Sequence, residues 1–318
     1  MRLRSLGKTG LRVSAVGLGG HWRTPDGRRY YDRFDGDKVP ADVVRNRADV
    51  VAACLDAGIN VIDITTAAEA LAYGRVLAAC RDRFIIGADD YQWSARNREC
   101  CNAQALIANV ERCLARLRTD YLDIWRVTAE VHGRNTPADV EAILEAADRL
   151  RSAGKIRFLG VSSHHPGWIR QTIERYPAFQ IALVPFTPLS GRPSTVSSDV
   201  VQTIAASGTG LMTIKPFAGG MLFRNPAGEP APPRSADRRE SERATQELAR
   251  LALRYILECC PQIACVLAGM TTVEEVATAA GILSAPPLDE EERSYIERIA
   301  RHRLSTLPPE YAWLEQWH

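Results

Sequence analysis

Eight short apolar runs, each separated from the next by a stretch of helical periodicity, constrain this chain more than any other feature. Ala15–Gly20, Asn60–Asp63, Phe84–Ala88 and Leu122–Val127 read as the first four strands. Ile156–Val161, Ile181–Val184, Leu211–Ile214 and Ile263–Leu267 read as the last four. Between them, apolar residues recur on one helical face. Examples are Val50, Val51, Cys54 and Leu55, then Leu106, Val110, Leu114 and Leu117, then Val140, Ile143, Leu144, Ala147 and Leu150 ahead of a stop at Gly154. Such alternation requires parallel strands joined by right-handed crossovers. An open doubly wound sheet and a closed barrel both meet that requirement. Eight repeats in 318 residues favour an α/β fold of the (β/α)8 TIM barrel type, a single domain spanning 1–318. The turn Gly7-Lys-Thr-Gly10 predicts a β-hairpin before the first barrel strand.

Two segments break the rhythm: Arg23–Pro40, polar and rich in Arg and Tyr, and Gly219–Glu242, rich in proline and charge. Both follow odd-numbered strands at the end where barrels keep their active sites, so they read as loops over a pocket; surface insertion is the alternative. A net charge of +2 and the lack of a basic stripe argue against a nucleic-acid or acidic-membrane partner. No apolar run is long enough to span a bilayer, and the first residues carry no apolar leader stretch. The eight cysteines include no C-x-x-C pair and fit buried thiols in a reducing compartment. The expectation is a cytoplasmic protein acting on a small molecule, without a metal motif and with its oligomeric state open.

Five stretches resemble the aldo-keto reductase family, in order along the chain. They are Leu6-Gly-Lys-Thr-Gly-Leu-Arg-Val-Ser14 with Gly17-Leu-Gly19; Ala57-Gly-Ile-Asn-Val-Ile-Asp63; Gly154-Lys-Ile-Arg-Phe-Leu-Gly-Val-Ser-Ser163; Ile214-Lys-Pro-Phe-Ala-Gly-Gly-Met-Leu222; and Leu267-Ala-Gly-Met-Thr-Thr-Val-Glu-Glu-Val276. The resemblance implies a barrel that reduces carbonyls with NADP(H), using an Asp, a Tyr proton donor, a Lys and a His. It carries the Asp onto Asp63 and places Ala68, Asp89 and Thr128 at the Tyr, Lys and His positions. Ala68 has no proton to give. Asp89 would raise a neighbouring acid's pKa where a lysine lowers it, and Thr128 is a weak substitute for imidazole.

The resemblance also implies a cofactor site made of Ser162, Ser163, Lys215, Gly219, Gly220, Gly269, Thr271 and Thr272. Several of the family's polar groups are replaced: Ser163 stands at an Asn position, Leu183 at a Gln, Ala279 at an Asn, and Met270–Thr272 lack a basic side chain. Backbone chemistry survives in the glycine turn and in a helix start capped by Thr271 or Thr272, either an anion cradle or plain turns. NADP(H) is therefore a possible rather than an expected cofactor.

Asp63 and Asp89 end neighbouring strands, roughly 5 Å apart. Two carboxylates that close would resist ionising together and would supply an acid beside a base. The alternatives are a bound cation that neutralises the pair, with His132 or His164 as a further ligand, and an Asp89 turned outward to an arginine of the Arg23–Pro40 loop, which would leave a structural site. Thr128, and His132 in the segment Ala129–Gly133, are candidates to orient substrate or relay a proton, a solvent-facing loop position being the alternative for His132. This leads to a barrel repurposed for non-redox acid–base chemistry on a small organic molecule, such as dehydration, cyclisation or isomerisation. A divergent NADP(H)-dependent oxidoreductase and a non-catalytic binding protein are the alternatives. His21, Trp22, Tyr91, Trp93, His164 and His165 share the same barrel face; His164 and His165 read as structural or pocket-wall residues, and Trp22 as a pocket floor or as packing against the Arg23–Pro40 loop. The aromatic tail Tyr311–Trp317 either folds over the mouth or packs on a partner subunit.

Overall fold

Every barrel strand falls on one of the eight apolar runs. The computed structural model describes residues 3–23, 29, 34–190, 195–224 and 238–317. The strands are β3 (Val16–Leu18), β4 (Val61–Ile64), β5 (Ile85–Ala88), β6 (Leu122–Thr128), β7 (Ile156–Ser162), β8 (Ile181–Pro185), β9 (Gly210–Ile214) and β10 (Ile263–Ala268). They close in sequence order, with β10 pairing β3, and every pairing is parallel. A closed barrel leaves no unpaired edge, which is why eight short strands suffice.

The hairpin forms as expected, from β1 (Arg4–Ser5) and β2 (Arg12–Val13). It stops the N-terminal end of the barrel. Arg4 Nη1 donates to the Ile263 carbonyl at 2.7 Å, the Lys8 amide donates to the Gly208 carbonyl at 2.9 Å, and Leu6 is fully buried. Gly7 has φ +53 and its missing Cβ would strike the Gly210 amide at 2.3 Å, so only glycine allows this approach.

The helices around the barrel are α1 (Ala41–Ala57), α2 (Ala67–Val76), α3 (Ala103–Leu117), α4 (Pro137–Ser152), α5 (Pro166–Arg175), α6 (Thr195–Ser207), α7 (Arg238–Cys259), α8 (Val273–Gly281) and α9 (Glu290–Leu304). Strand alternation sorts side chains into two layers. Val61, Ile124, Ile181, Leu183 and Met212 fill the interior, while Ile62, Ile64, Trp125, Val127 and Val184 pack outward against the helices. Residues 24–28, 30–33 and 225–237 of the two expected pocket loops lie outside the described residues. All eight cysteines are free thiols. Among the described residues no helix is long and apolar enough to cross a membrane, and no group of three His, Cys, Asp or Glu could hold a metal.

Candidate active site

The C-terminal ends of β4, β6, β7, β9 and β10, with the loops that follow them, enclose a cavity of about 630 Å³. Asp63 lies on β4 with its side chain inward, on the face shared by Val61 and by Gly87 of β5. Two strands away, β6 carries Ile124, Arg126 and Thr128 along one face. The result is an ion pair at the cavity floor: Arg126 Nε donates to Asp63 Oδ1 at 2.8 Å, and both residues are 3% exposed. Arg126 Nη1 donates to Thr128 Oγ1 at 3.1 Å, and Nη2 lies buried with no hydrogen-bond partner. Burial pushes the Asp63 carboxyl above the ordinary carboxylate range, although Arg126 pulls it back.

Asp89 takes another course. Alternation from Ala88 would aim it inward, but the strand ends there and its carboxylate turns into the layer between barrel and helices. Oδ1 accepts from Asn109 of α3 at 3.2 Å and from the Trp125 indole at 3.4 Å; Oδ2 accepts from the Thr128 amide at 3.0 Å. Burial raises this carboxyl as well. The side-by-side carboxylates expected from strand spacing are therefore not what the structure holds. Asp63 has an arginine for a partner, and Asp89 is absent from the cavity wall.

The other sequence candidates divide. Thr128, Ser162, Lys215, Gly219, Gly220, Gly269 and Thr271 line the cavity. His132 does not: it is exposed, and its amide donates to Glu130 at 2.8 Å. Ser163 is buried behind the wall, where its hydroxyl accepts from the His165 amide at 3.1 Å. Thr272 serves as the N-cap of α8.

His21, Tyr91, Arg96 and His164 complete the wall. Glu69, fully buried at N3 of α2, ties this side together. It accepts from the Thr65 amide and hydroxyl, each at 2.7 Å, and from the His21 amide. The His21 ring stands 5.7 Å from that of Tyr91. Both cavity histidines are held neutral: desolvation, then Lys215 and neighbouring arginines, push His21 down to about 4 and His164 to about 3. His21 is exposed to the cavity, and the cations Lys215, Arg126 and Arg96 add to the desolvation that lowers it. The tail folds over the mouth within its own chain. Trp313 lies 4.5 Å from the His164 ring, and the Trp317 indole donates to the His164 carbonyl at 2.8 Å.

Sequence reasoning passed over Arg126, Arg96 and Glu69 as site residues. Arg126 had a visible signal: it stands two residues beyond Ile124 in an apolar strand, so a charge had to face the interior. Glu69 had the Thr66-x-x-Glu69 capping-box spacing. Arg96 sits in a loop and had none.

A model of the Aldo/keto reductase family matches residues 44–301. The chain belongs to this family. It is 26% identical over 318 residues to L-galactose dehydrogenase of Arabidopsis thaliana, with 94% of each chain covered. It is also 26% identical over 230 residues to L-glyceraldehyde 3-phosphate reductase of Escherichia coli K12, covering 70% of this chain and 63% of that one. Among solved structures, the holo form of an aldo-keto reductase from Bacillus halodurans shares the fold with a TM-score of 0.70 at 23% identity, over 95% of this chain and 97% of that one. An aldo-keto reductase from Klebsiella pneumoniae in complex with NADPH gives 0.67 at 20% identity, over 94% and 95%.

After β9, Gly219 and Gly220 adopt φ +65 and +93, and open space lies where a Gly220 Cβ would be. A turn of this kind can point amides at a phosphate. Gly269 has only the Gly20 carbonyl near its missing Cβ, at 3.4 Å. Gly220 and Gly269 thus leave their backbone open to close approach by a ligand. The start of α8 is capped as expected by Thr272, whose hydroxyl accepts from the Glu275 amide, while the Glu275 carboxylate accepts from the Thr271 and Thr272 amides ahead of the helix. Tyr311 of the tail sits against Gly219, its hydroxyl 2.6 Å from the position of the missing Cβ.

Proposed function

We propose that the protein is a divergent aldo/keto oxidoreductase that interconverts a carbonyl and an alcohol on a small organic molecule with a nicotinamide dinucleotide. One observation carries this reading: the buried Asp63–Arg126 pair at the floor of the cavity. The family resemblance places a lysine beside the aspartate, on the strand where this chain has Asp89. Arg126 brings a cation to the same aspartate from β6 instead. Paired-carboxylate chemistry would need Asp63 and Asp89 together in one cavity, and the two lie in different layers. The names of the relatives, a dehydrogenase and a reductase, point the same way.

Ser162 and the turns at Gly219, Gly220 and Gly269 are the residues that would hold the dinucleotide. When bound it supplies or accepts the hydride. The chain's own work is electrostatic and acid–base. Arg126 stabilises negative charge developing on the carbonyl oxygen, in a site where low dielectric strengthens the effect. Tyr91 is the candidate proton donor. Its backbone amide is anchored to the Thr65 carbonyl at 3.2 Å, two residues beyond Asp63, and its ring lines the cavity. His21 and His164, both neutral, can donate or accept single hydrogen bonds to orient the substrate.

The test is calorimetric titration with NADH and NADPH, followed by turnover with a panel of small aldehydes, ketones and sugar alcohols. Turnover with one dinucleotide is expected, with losses of about 10²–10⁴-fold in Tyr91→Phe. Failure of both dinucleotides to bind, with no turnover, would overturn the reading.

A further inference from the structure

Charge in the cavity is unbalanced. Among the described residues, its inner wall carries three cationic side chains, Arg96, Arg126 and Lys215, against the carboxylate of Asp63, with Glu275 at the mouth. Asp63 is paired with Arg126, and Glu275 accepts from the Thr271 and Thr272 amides ahead of α8. Arg96 and Lys215 form no ion pair among the described residues. Arg96 stacks on Tyr91 at 5.2 Å, and the Lys215 ammonium lies 5.9 Å from the Trp313 ring centroid. Arg126, 3% exposed, keeps Nη2 buried without an acceptor. A guanidinium nitrogen and an ammonium left without acceptors in an enclosed site are costly unless something arrives to pair them.

The backbone adds to the case. Lys215 sits at φ +56, a region that residues other than glycine seldom occupy, so its placement at the cavity is held against local preference. The three cations come from three different barrel strands or the loops that follow them, β5, β6 and β9, and converge on one space. Their fields reach one another: Arg96 lowers the Lys215 ammonium pKa after burial has done so, and Lys215, Arg96 and Arg126 all press on His164.

We propose that Lys215 and Arg96, with the positive field of Arg126 at the floor behind them, form a recognition site for an oxyanion, a carboxylate or phosphate ester carried by the substrate. Substrates of this enzyme are then small acidic carbonyl compounds or hydroxy acids, rather than neutral aldehydes. The two neutral histidines face the same space and give the oxyanion uncharged N–H donors. Such a site rests on the oxidoreductase reading only in taking this cavity as the place where substrate binds.

Calorimetry on the full chain at low ionic strength tests it, with malonate and inorganic phosphate as probes and neutral malonamide as control. One site is expected for at least one of the anions, with a dissociation constant of about 1 mM or tighter. No heat is expected from malonamide, and binding should weaken as salt is added. Lys215→Met and Arg96→Met should each weaken the anion by about tenfold or more. Arg96 is on the rim and exposed, so its variant folds whatever Lys215→Met does. A wild type that binds neither anion, or variants that bind as well as wild type, would overturn the assignment. So would anion binding lost competitively when a dinucleotide is added, because the cations would then belong to the cofactor. Anion binding that obeys these expectations in a protein with no affinity for NADH or NADPH would support the oxyanion site and sink the oxidoreductase reading alone.

Discussion

Asp63 and Asp89 stand at the ends of adjoining strands, 2–3% exposed, with carboxyl pKa values raised by the same cause, burial. Yet they belong to different regions. Asp63 faces the cavity, where one arginine nitrogen holds one of its oxygens. Asp89 faces the helix layer, where an amide side chain, an indole and a backbone amide share its two oxygens. The first is held by one guanidinium, whose Nη2 has no acceptor. The second has spent its acceptors on holding β6 against β5 and α3. Burial and an unusual pKa alone would rank the two alike as site candidates; the side of the sheet separates them.

Arg126→Met should have the largest effect. It leaves Asp63 buried without its countercharge, an expected loss of about 3–5 kcal/mol in urea unfolding. The sign with pH follows. Without Arg126 the folded carboxyl holds its proton more tightly than the unfolded one, whose reference value is 3.8. The variant's deficit therefore grows as pH rises through the raised folded pKa and shrinks as pH falls toward 4. A deficit that does not change across that range would mean Asp63 finds another partner.

Asp89→Asn comes second. An amide can serve one side of the site but turns a donor toward another donor, either the Thr128 amide or the Asn109–Trp125 pair. The expected loss is about 1–3 kcal/mol of stability, with turnover changed by no more than about threefold. If Asp89→Asn instead abolished turnover while leaving stability untouched, the contrast between the two regions would be broken. Ser94→Ala should have the smallest effect. Its buried hydroxyl accepts from the Thr128 amide at 3.1 Å alongside Asp89, so the variant should lose about 1 kcal/mol and keep its kinetics. A change in KM would show that the helix layer transmits to the cavity.

Much of the molecule follows from local rules. Eight runs of β-branched and apolar residues became eight strands because period-2 burial on both faces admits little else. Gly154 ends the α4 turn at φ +69, and the Thr-x-x-Glu spacings became capping boxes on α2 and α8, because these depend on neighbours within four residues. The same locality explains why Asp63 and Thr128 could be placed at the rim from sequence: each lies within a strand whose register the apolar pattern sets.

Three matters needed the closed barrel. Asp89 is one residue past its strand, where alternation no longer governs direction, so the donors waiting in the helix layer decided which way it turned. Arg126 was visible as an inward charge, but its partner lay 63 residues away, two strands around the barrel, and only closure brought them to 2.8 Å. Arg96, Arg126 and Lys215 show no common pattern in the chain. Each is an ordinary basic residue in its own segment; they become one positive site because parallel strands of a barrel bring all their C-terminal ends to a single mouth.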